Sequence, residues 1–304
     1  MYIIRHRALF FWITGIIIAI ALGASFFFGL PLGIDFTGGS LMQVGYPNGT
    51  PSIATIEKQV SVVPLGTVSV RAAGTNVISI RTRTMTPAEH DAVFASISSN
   101  ASTTELAYTS VGPALGSQFA TKALWAILAV VLVIALYIAF AFRKVSRPVS
   151  SWYYGLAVIA ILVHDLIIPA GFYAILAHFT GVQVDALFIT ALLALLGYSV
   201  NDTIIIFDRV RENLAYNEKT NNKEMYENTV GKSIDETMTR SINMSLTVVL
   251  ALGALVIFGA PATRDFGLVM LVGVIAGTYS SVLLAAPLLI PLGYRFAKNL
   301  FAPS

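Results

Sequence analysis

Uncharged runs too long for any soluble core set the class of this fold. Residues 8–34 carry no charged side chain over 27 positions, and residues 123–142 are uncharged over 20. About 20 apolar residues at 1.5 Å each cross the roughly 30 Å hydrocarbon layer of a bilayer. There the backbone must satisfy its own hydrogen bonds, so such runs form helices. Further spans are predicted at 152–176, from 186 onward, at 241–263 and at 266–292, six in all. Only 12% of the 304 residues are charged, against roughly 25% in soluble domains, so the chain is an integral membrane protein. The absence of cysteine excludes disulfides, thiol catalysis and cysteine-ligated metals. Basic residues neither cluster with aromatics nor form a tract, which gives no nucleic-acid interface. A cleaved signal peptide competes for the first run, because Ala-Leu-Gly-Ala-Ser at 21–25 offers small residues. The run continues through Phe26, Phe27 and Phe28, which favours an uncleaved anchor.

Residues 40–111 have a different texture. Residues 41–46, 67–72, 77–82 and 104–111 read as strands, with apolar and polar residues alternating in the middle pair. Thr50-Pro51 with Ile53, Ile56 and Val60 predicts one helix. Thr86-Pro87-Ala88-Glu89 is a capping box with proline in the first turn, and predicts a second. The order β-α-β-β-α-β is that of a ferredoxin-like domain. The domain plan is an N-terminus and first transmembrane helix at 1–34, an extracytoplasmic domain at 35–116, and a five-helix transmembrane domain at 117–304. Within the last, residues 209–240 form a cytoplasmic segment with six Lys/Arg and seven Asp/Glu over 208–240. Tyr226, Val230, Ile234 and Met238 recur there every fourth residue, predicting an amphipathic helix on the membrane surface.

Ionisable residues inside spans are the candidates for chemistry, since a carboxylate at helix centre costs about 2.5–3.5 kcal/mol on insertion scales. Counting back from the charge cluster at Asp208, Asp202 lies about 9 Å deep. A proton site and a structural carboxylate are the two readings of it. Asn201 beside it orients the carboxylate or bonds a neighbouring helix. Arg240, at the inner end of the fifth span, is a counter-ion or a snorkelling anchor. His164 and Asp165, roughly 20 Å from the inner surface by the same counting, are relay members or packing groups. Asp185 and Asp265 stand at span boundaries. Gly273, Gly277 and Ser281 form a small-xxx-small face for close helix packing.

Seventeen consecutive positions, Gly-Tyr-Ser-Val-Asn-Asp-Thr from Gly197 through Phe-Asp-Arg-Val-Arg-Glu-Asn ending at Asn213, resemble the signature of the SecF family of bacterial protein-export subunits. Gly197, Tyr198, Asp208 and Arg209 belong to it. Asp35, Phe36, Gly38 and Gly39 resemble the Asp-Phe-x-Gly-Gly element of SecD and SecF, and residues 111–116 the element leading back into the membrane. The His164-Asp165 pair is similar to one on the family's third helix. The resemblance implies that Arg240 acts with Asp202 in proton transport. It further implies a heterodimer with SecD, association with the SecYEG channel and SecA-driven export of unfolded preproteins, in contact with membrane lipids. No cofactor is implied beyond the proton gradient, with sodium open as the coupling ion.

Two other function classes share parts of this plan. Half of a small-molecule or lipid exporter of resistance-nodulation-division type shares the plan of a helix, an outer domain and five helices. Here that outer domain is small and single, with little room for a binding cleft. An intramembrane aspartyl protease needs two carboxylates about 3 Å apart. Helical counting separates Asp165 and Asp202 by more than roughly 10 Å in height, and no Gly-x-Gly-Asp motif is present, so no enzyme is expected.

Thirteen of the nineteen Lys/Arg fall on the N-terminus, on 143–147, on 209–240 and on the C-terminus. Both termini are therefore expected in the cytoplasm, in the bacterial inner membrane. In this cysteine-free chain, Ser99→Cys should label from outside intact cells and Ser146→Cys should not. External labelling of Ser146→Cys would invert the topology.

Overall fold

The computed structural model describes residues 2–74, 76–99, 101–143, 150–222 and 224–292. Apart from Arg143, the basic loop expected at 143–147 lies outside them, as does the basic C-terminus. The elements begin with α1 (Tyr2–Arg5), α2 (Arg7–Phe28) and α3 (Ile34–Thr37). Next come β1 (Gly39–Gly45), α4 (Ile53–Val60), β2 (Ser69–Ala72), β3 (Val77–Thr82), α5 (Pro87–Ser98) and β4 (Thr104–Val111). Five long helices follow: α6 (Pro113–Ala141), α7 (Ser151–Thr180), α8 (Ala186–Lys219), α9 (Tyr226–Phe258) and α10 (Pro261–Ser280). A π-helical turn, Ser281–Ala285, prolongs α10, and helical structure from Thr263 reaches Leu292. Among the described residues, six helices are long and apolar enough to cross a membrane.

The chain divides into two compact units. The first comprises Met1–Gly29, Ala126–Leu176 and Leu187–Ser304, and the second Leu30–Trp125 with Ala177–Ala186. In the helical unit, Gly171 lets α7 meet α2. A Cβ there would stand 2.5 Å from Ala21 Cα, a contact no side chain tolerates. Leu162, Phe207, Leu289 and the stacked pair Phe142–Tyr154, 5.0 Å between centroids, fill the interior of this unit.

The amphipathic stripe expected on the membrane surface is placed differently. Residues 226–238 are the first turns of α9, continuous with the fifth span. Val230 and Ile234 are buried against Ile206 and Val210 of α8 and against Ile3 and Ile4 of α1. Neighbouring helices cover the apolar stripe, so lipid is not needed to bury it. α8 likewise runs 11 residues past Asp208, about 16 Å of helix. The two extensions form a hairpin clamped by Arg209 to Glu236 at 2.6 Å and by Asn213 to Ser233 at 2.9 Å.

In the second unit the strands form one sheet in the order β2-β3-β1-β4, every pair antiparallel. Alternation decides its faces. Met42, Val44, Val70, Ile78 and Ile80 point inward and pack with Ile56 and Val60 of α4 and Val93 and Ile97 of α5. Emptying such a site, as in Ile80→Ala, costs about 2–5 kcal/mol. At the start of α5, Thr86 Oγ1 accepts from the Glu89 N–H at 3.3 Å, and Glu89 accepts from the Thr86 N–H at 2.8 Å. The expected capping box is formed. Arg83 forks onto both Glu89 oxygens at 2.5 and 3.1 Å. The Arg83 hydrogen bonds, then that of the Thr86 N–H, hold the Glu89 carboxyl down at about 2.

A fragment of residues 35–116 should unfold cooperatively in urea, followed by circular dichroism. Thr86→Ala should lower its stability by about 1 kcal/mol. Because Glu89 is depressed on folding, its contribution is complete above the ordinary carboxylate range and is lost as pH falls toward about 2. A random-coil spectrum at neutral pH would refute the independent domain.

Candidate functional site

Asp165, on α7, is 1% exposed and accepts three hydrogen bonds. They come from His164 Nδ1 at 2.7 Å, from Ser280 Oγ of α10 at 2.8 Å and from Ser199 Oγ of α8. A buried carboxylate is tolerated only with such partners. With Nδ1 engaged, the other ring nitrogen of His164 is buried without a hydrogen-bond partner among the described residues. Asp202, 2% exposed on α8, accepts from Ser245 Oγ of α9 at 3.2 Å. Ser245 itself accepts from Tyr198 Oη at 3.2 Å and from Thr278 Oγ1 of α10 at 2.6 Å. Hydroxyls of α8, α9 and α10 thus form a chain that ends, through Ser245, on one carboxylate. Thr203 bonds Ser281 at 3.0 Å, at the start of the π turn, a feature frequent at functional sites.

Close approach makes this net possible. Gly273 stands against Leu195, and a Cβ on Gly277 would lie 3.4 Å from Ser199 Cβ and 3.6 Å from Asp165 Oδ2. The small-xxx-small face therefore packs α10 onto α8 and α7 at the carboxylates. The two carboxylates stand closer in height than helical counting gives. Ser199 bonds Asp165 and precedes Asp202 by three residues, about 4.5 Å of rise. The carboxylates thus differ by about one helical turn, and the separation of more than roughly 10 Å does not hold. Counting failed because α8 continues past Asp208, which therefore marks no fixed depth. The two carboxylates still bond separate hydroxyls, with no hydrogen bond between them among the described residues.

Other residues of the expected site are not drawn in. Arg240 is exposed and makes no ion pair with Asp202 among the described residues. Buried Thr237, Ser241 and Ser245 share one side of α9, and Arg240 lies about 100° around the helix from Ser241. Asn201 and Gly197 are exposed on α8. Asp208 pairs with Arg211 at 2.5 Å, and Arg209 with Glu212 and Glu236, in the hairpin. Sequence reasoning missed the hydroxyl partners. A signal was present in Thr237, Ser241 and Ser245 at four-residue spacing and in the Thr278, Ser280 and Ser281 group.

The Asp-Phe-x-Gly-Gly element forms a second cluster. Asp35 Oδ2 accepts from the N–H of Ala186, the first residue of α8, at 2.8 Å. A carboxylate at a helix N-terminus meets an unsatisfied donor and the positive end of the dipole. Gly38 has φ +74°, and a Cβ there would lie 2.6 Å from Pro113 Cα. Gly39 has φ +126°, and its Cβ would lie 2.6 Å from Thr82 O. Phe36 is buried, 5.3 Å between centroids from Phe119. The glycines let the start of β1 touch the start of α6.

Six bilayer-length helices that bury two carboxylates in a net of hydroxyls, with a small sheet after the first span, define a polytopic membrane protein holding ionisable groups inside the bilayer. The chain belongs to the SecD/SecF family, among its SecF translocase subunits. The family model "Protein export membrane protein SecD/SecF, C-terminal" matches residues 91–295, and "SecD/SecF GG Motif" matches residues 23–46. The chain is 37% identical to protein translocase subunit SecF of Thermobaculum terrenum, covering 95% of this chain and 92% of that one. It is 31% identical to that of Mycobacterium tuberculosis, covering 96% and 67%. A crystal structure of SecDF from Thermus thermophilus, a translocon-associated membrane protein, superposes with TM-score 0.83 at 29% identity over 97% of this chain. SecDF in a super-membrane-facing form gives 0.68 over 98%. This chain spans 39% of the length of either SecDF chain.

Asp35→Ala should remove about 1 kcal/mol of capping. Amide exchange in the first turn of α8 should then rise about five-fold, measured on the detergent-solubilised protein by mass spectrometry. Unchanged exchange would show that the carboxylate does not cap α8.

Proposed function

We propose that this chain acts with a SecD partner as an auxiliary subunit of the Sec translocase, using the proton-motive force to promote protein export. The observation that carries the reading is Asp202, 2% exposed within a membrane span and held by Ser245 of the next helix. Its hydroxyl neighbours can donate or accept by rotation, so protonation of Asp202 would reverse the direction of the chain of donors. Moving one charge through the membrane is worth about 2.3 kcal/mol per 100 mV, enough to shift a two-state element. Asp165 and His164 complete the proposed proton-transport group, with Asn201 and Arg240 on its exposed side.

The partner's place is supported by what this chain leaves open. Ala194, Gly197 and Asn201 form an exposed small-residue face on α8, suited to close approach by another helix. Only 11% of the apolar window of α9 is buried. A SecD-derived helix pair on this side would cover Asn201 and bring Arg240 into a shared interior. Proposed further partners are the SecYEG channel, SecA and unfolded preproteins. The location is the bacterial cytoplasmic membrane with both termini inside. The sheet order β2-β3-β1-β4 over a β-α-β-β-α-β chain supports a ferredoxin-like domain, proposed to stand outside the cytoplasm between the first two spans. The two SecDF forms match this chain with different scores at equal identity.

Asp202→Asn preserves size but removes the titrating group. It should insert normally, retain SecD on co-purification, and reduce gradient-dependent export to the level of cells lacking the subunit. Arg240→Ala should stall export, and Arg240→Lys should restore part of it, since the charge remains while the planar fork is lost. Export by Asp202→Asn at the wild-type rate with the gradient intact would make Asp202 structural only. Export that follows a sodium gradient after the proton gradient is collapsed would make sodium the coupling ion.

A further inference from the structure

The sheet carries a second ionic feature, on the face turned away from its core. With Val70, Ile78 and Ile80 inward, period-two alternation puts Ser69, Arg71, Ser79 and Arg81 on the opposite face. The register sets Ser69 opposite Arg81 and Arg71 opposite Ser79. Arg71 and Arg81 are therefore diagonal neighbours, about 7–8 Å apart. Both guanidiniums bond neutral oxygens. Arg71 Nη1 donates to Gly181 O at 2.8 Å, and Arg81 donates to Thr37 Oγ1 at 2.7 Å and to Gln183 Oε1. Neither has a carboxylate partner among the described residues, whereas the nearby Arg83 is paired with Glu89. Burial lowers the pKa of Arg81, and the charge of Arg71 lowers it further. Two cations held side by side in this way lack a counter-charge among the described residues.

A cavity of about 350 Å³ is lined by Arg81 with Gly38, Thr67, Ser69, Thr82, Arg83 and Gln183, and Arg71 stands diagonally across the strand pair from Arg81. Hydroxyls and guanidinium forks suit the tetrahedral oxygens of phosphate. The location narrows the source. Residues 177–186 join α7 to α8, two helices of bilayer length, so Gly181 and Gln183 lie where the chain leaves one span and enters the next. Arg71 and Arg81 are bonded to those two residues. We propose that Arg71, Arg81 and the adjoining hydroxyls bind a phosphate group, supplied by the headgroup of an anionic phospholipid in the leaflet beside the sheet. Bound there, the lipid would tie the 177–186 connection to the sheet.

The test uses the full chain in a neutral detergent, with phosphatidylglycerol, phosphatidylcholine and inorganic phosphate as separate probes, read by native mass spectrometry and thermal unfolding. Phosphatidylglycerol should bind in preference to phosphatidylcholine and raise the unfolding temperature. Arg81→Gln should weaken that binding about ten-fold, the loss of one charged hydrogen bond. Arg71→Gln is the second variant, because Arg71 is exposed and its loss should leave the fold intact. It should weaken binding similarly. Lys122→Gln, outside this cavity, should leave binding unchanged. Displacement of the lipid by inorganic phosphate supports the same phosphate site. Equal binding of the two lipids overturns the proposal, as does phosphatidylglycerol binding that survives both arginine variants.

Discussion

The hydrogen bonds on Asp165 hold the helical unit in register. A carboxylate in hydrocarbon must find donors, and those that serve it sit on α8 and α10. Meeting them aligns three helices in height to within a turn. That alignment sets Ser199, Asp202 and Thr203 of α8 against Thr278, Ser280 and Ser281. Glycines at 273 and 277 are required because hydroxyls are short, and the helices must approach closely for them to reach. The net around Asp202 follows from the same alignment, since Thr278 reaches Ser245 only when α10 stands at this level.

The two carboxylates differ in a way that bears on their roles. Asp165 is saturated, with three donors, one of them the adjacent histidine. Among the described residues Asp202 has a single hydroxyl donor, on the helix whose other side is exposed. A saturated group resists change, because moving it strands several partners in a medium without water. A singly held one next to an open side can change partners. The charged half of the long motif serves neither carboxylate. Arg209, Glu212 and Asn213 lock the hairpin of α8 and α9 beyond the apolar stretch, which stiffens the two helices that carry Asp202 and Ser245. The Asp-Phe-x-Gly-Gly element has a comparable structural task. Its carboxylate caps α8, and its glycines accept a backbone contact with the start of α6.

Residue order alone determined the spans, the sheet and the presence of carboxylates in the membrane. Hydrophobic length, strand alternation and the Thr86 capping box are local properties, and each acts within a few residues of its own position. The partners of the carboxylates were decided by tertiary structure. Ser199 and Ser280 are ordinary hydroxyls in sequence and become ligands of Asp165 only through helix packing. The resemblance pairs Arg240 with Asp202, yet the turn of α9 carries it to another side of the helix. The stripe at 226–238 has the pattern of a surface helix and was covered instead by α8 and α1, because periodicity states that a face is apolar and not what buries it. Depth counts failed for the same reason: rise per residue is local, whereas the height of one helix against another is set by contacts between residues far apart in the chain.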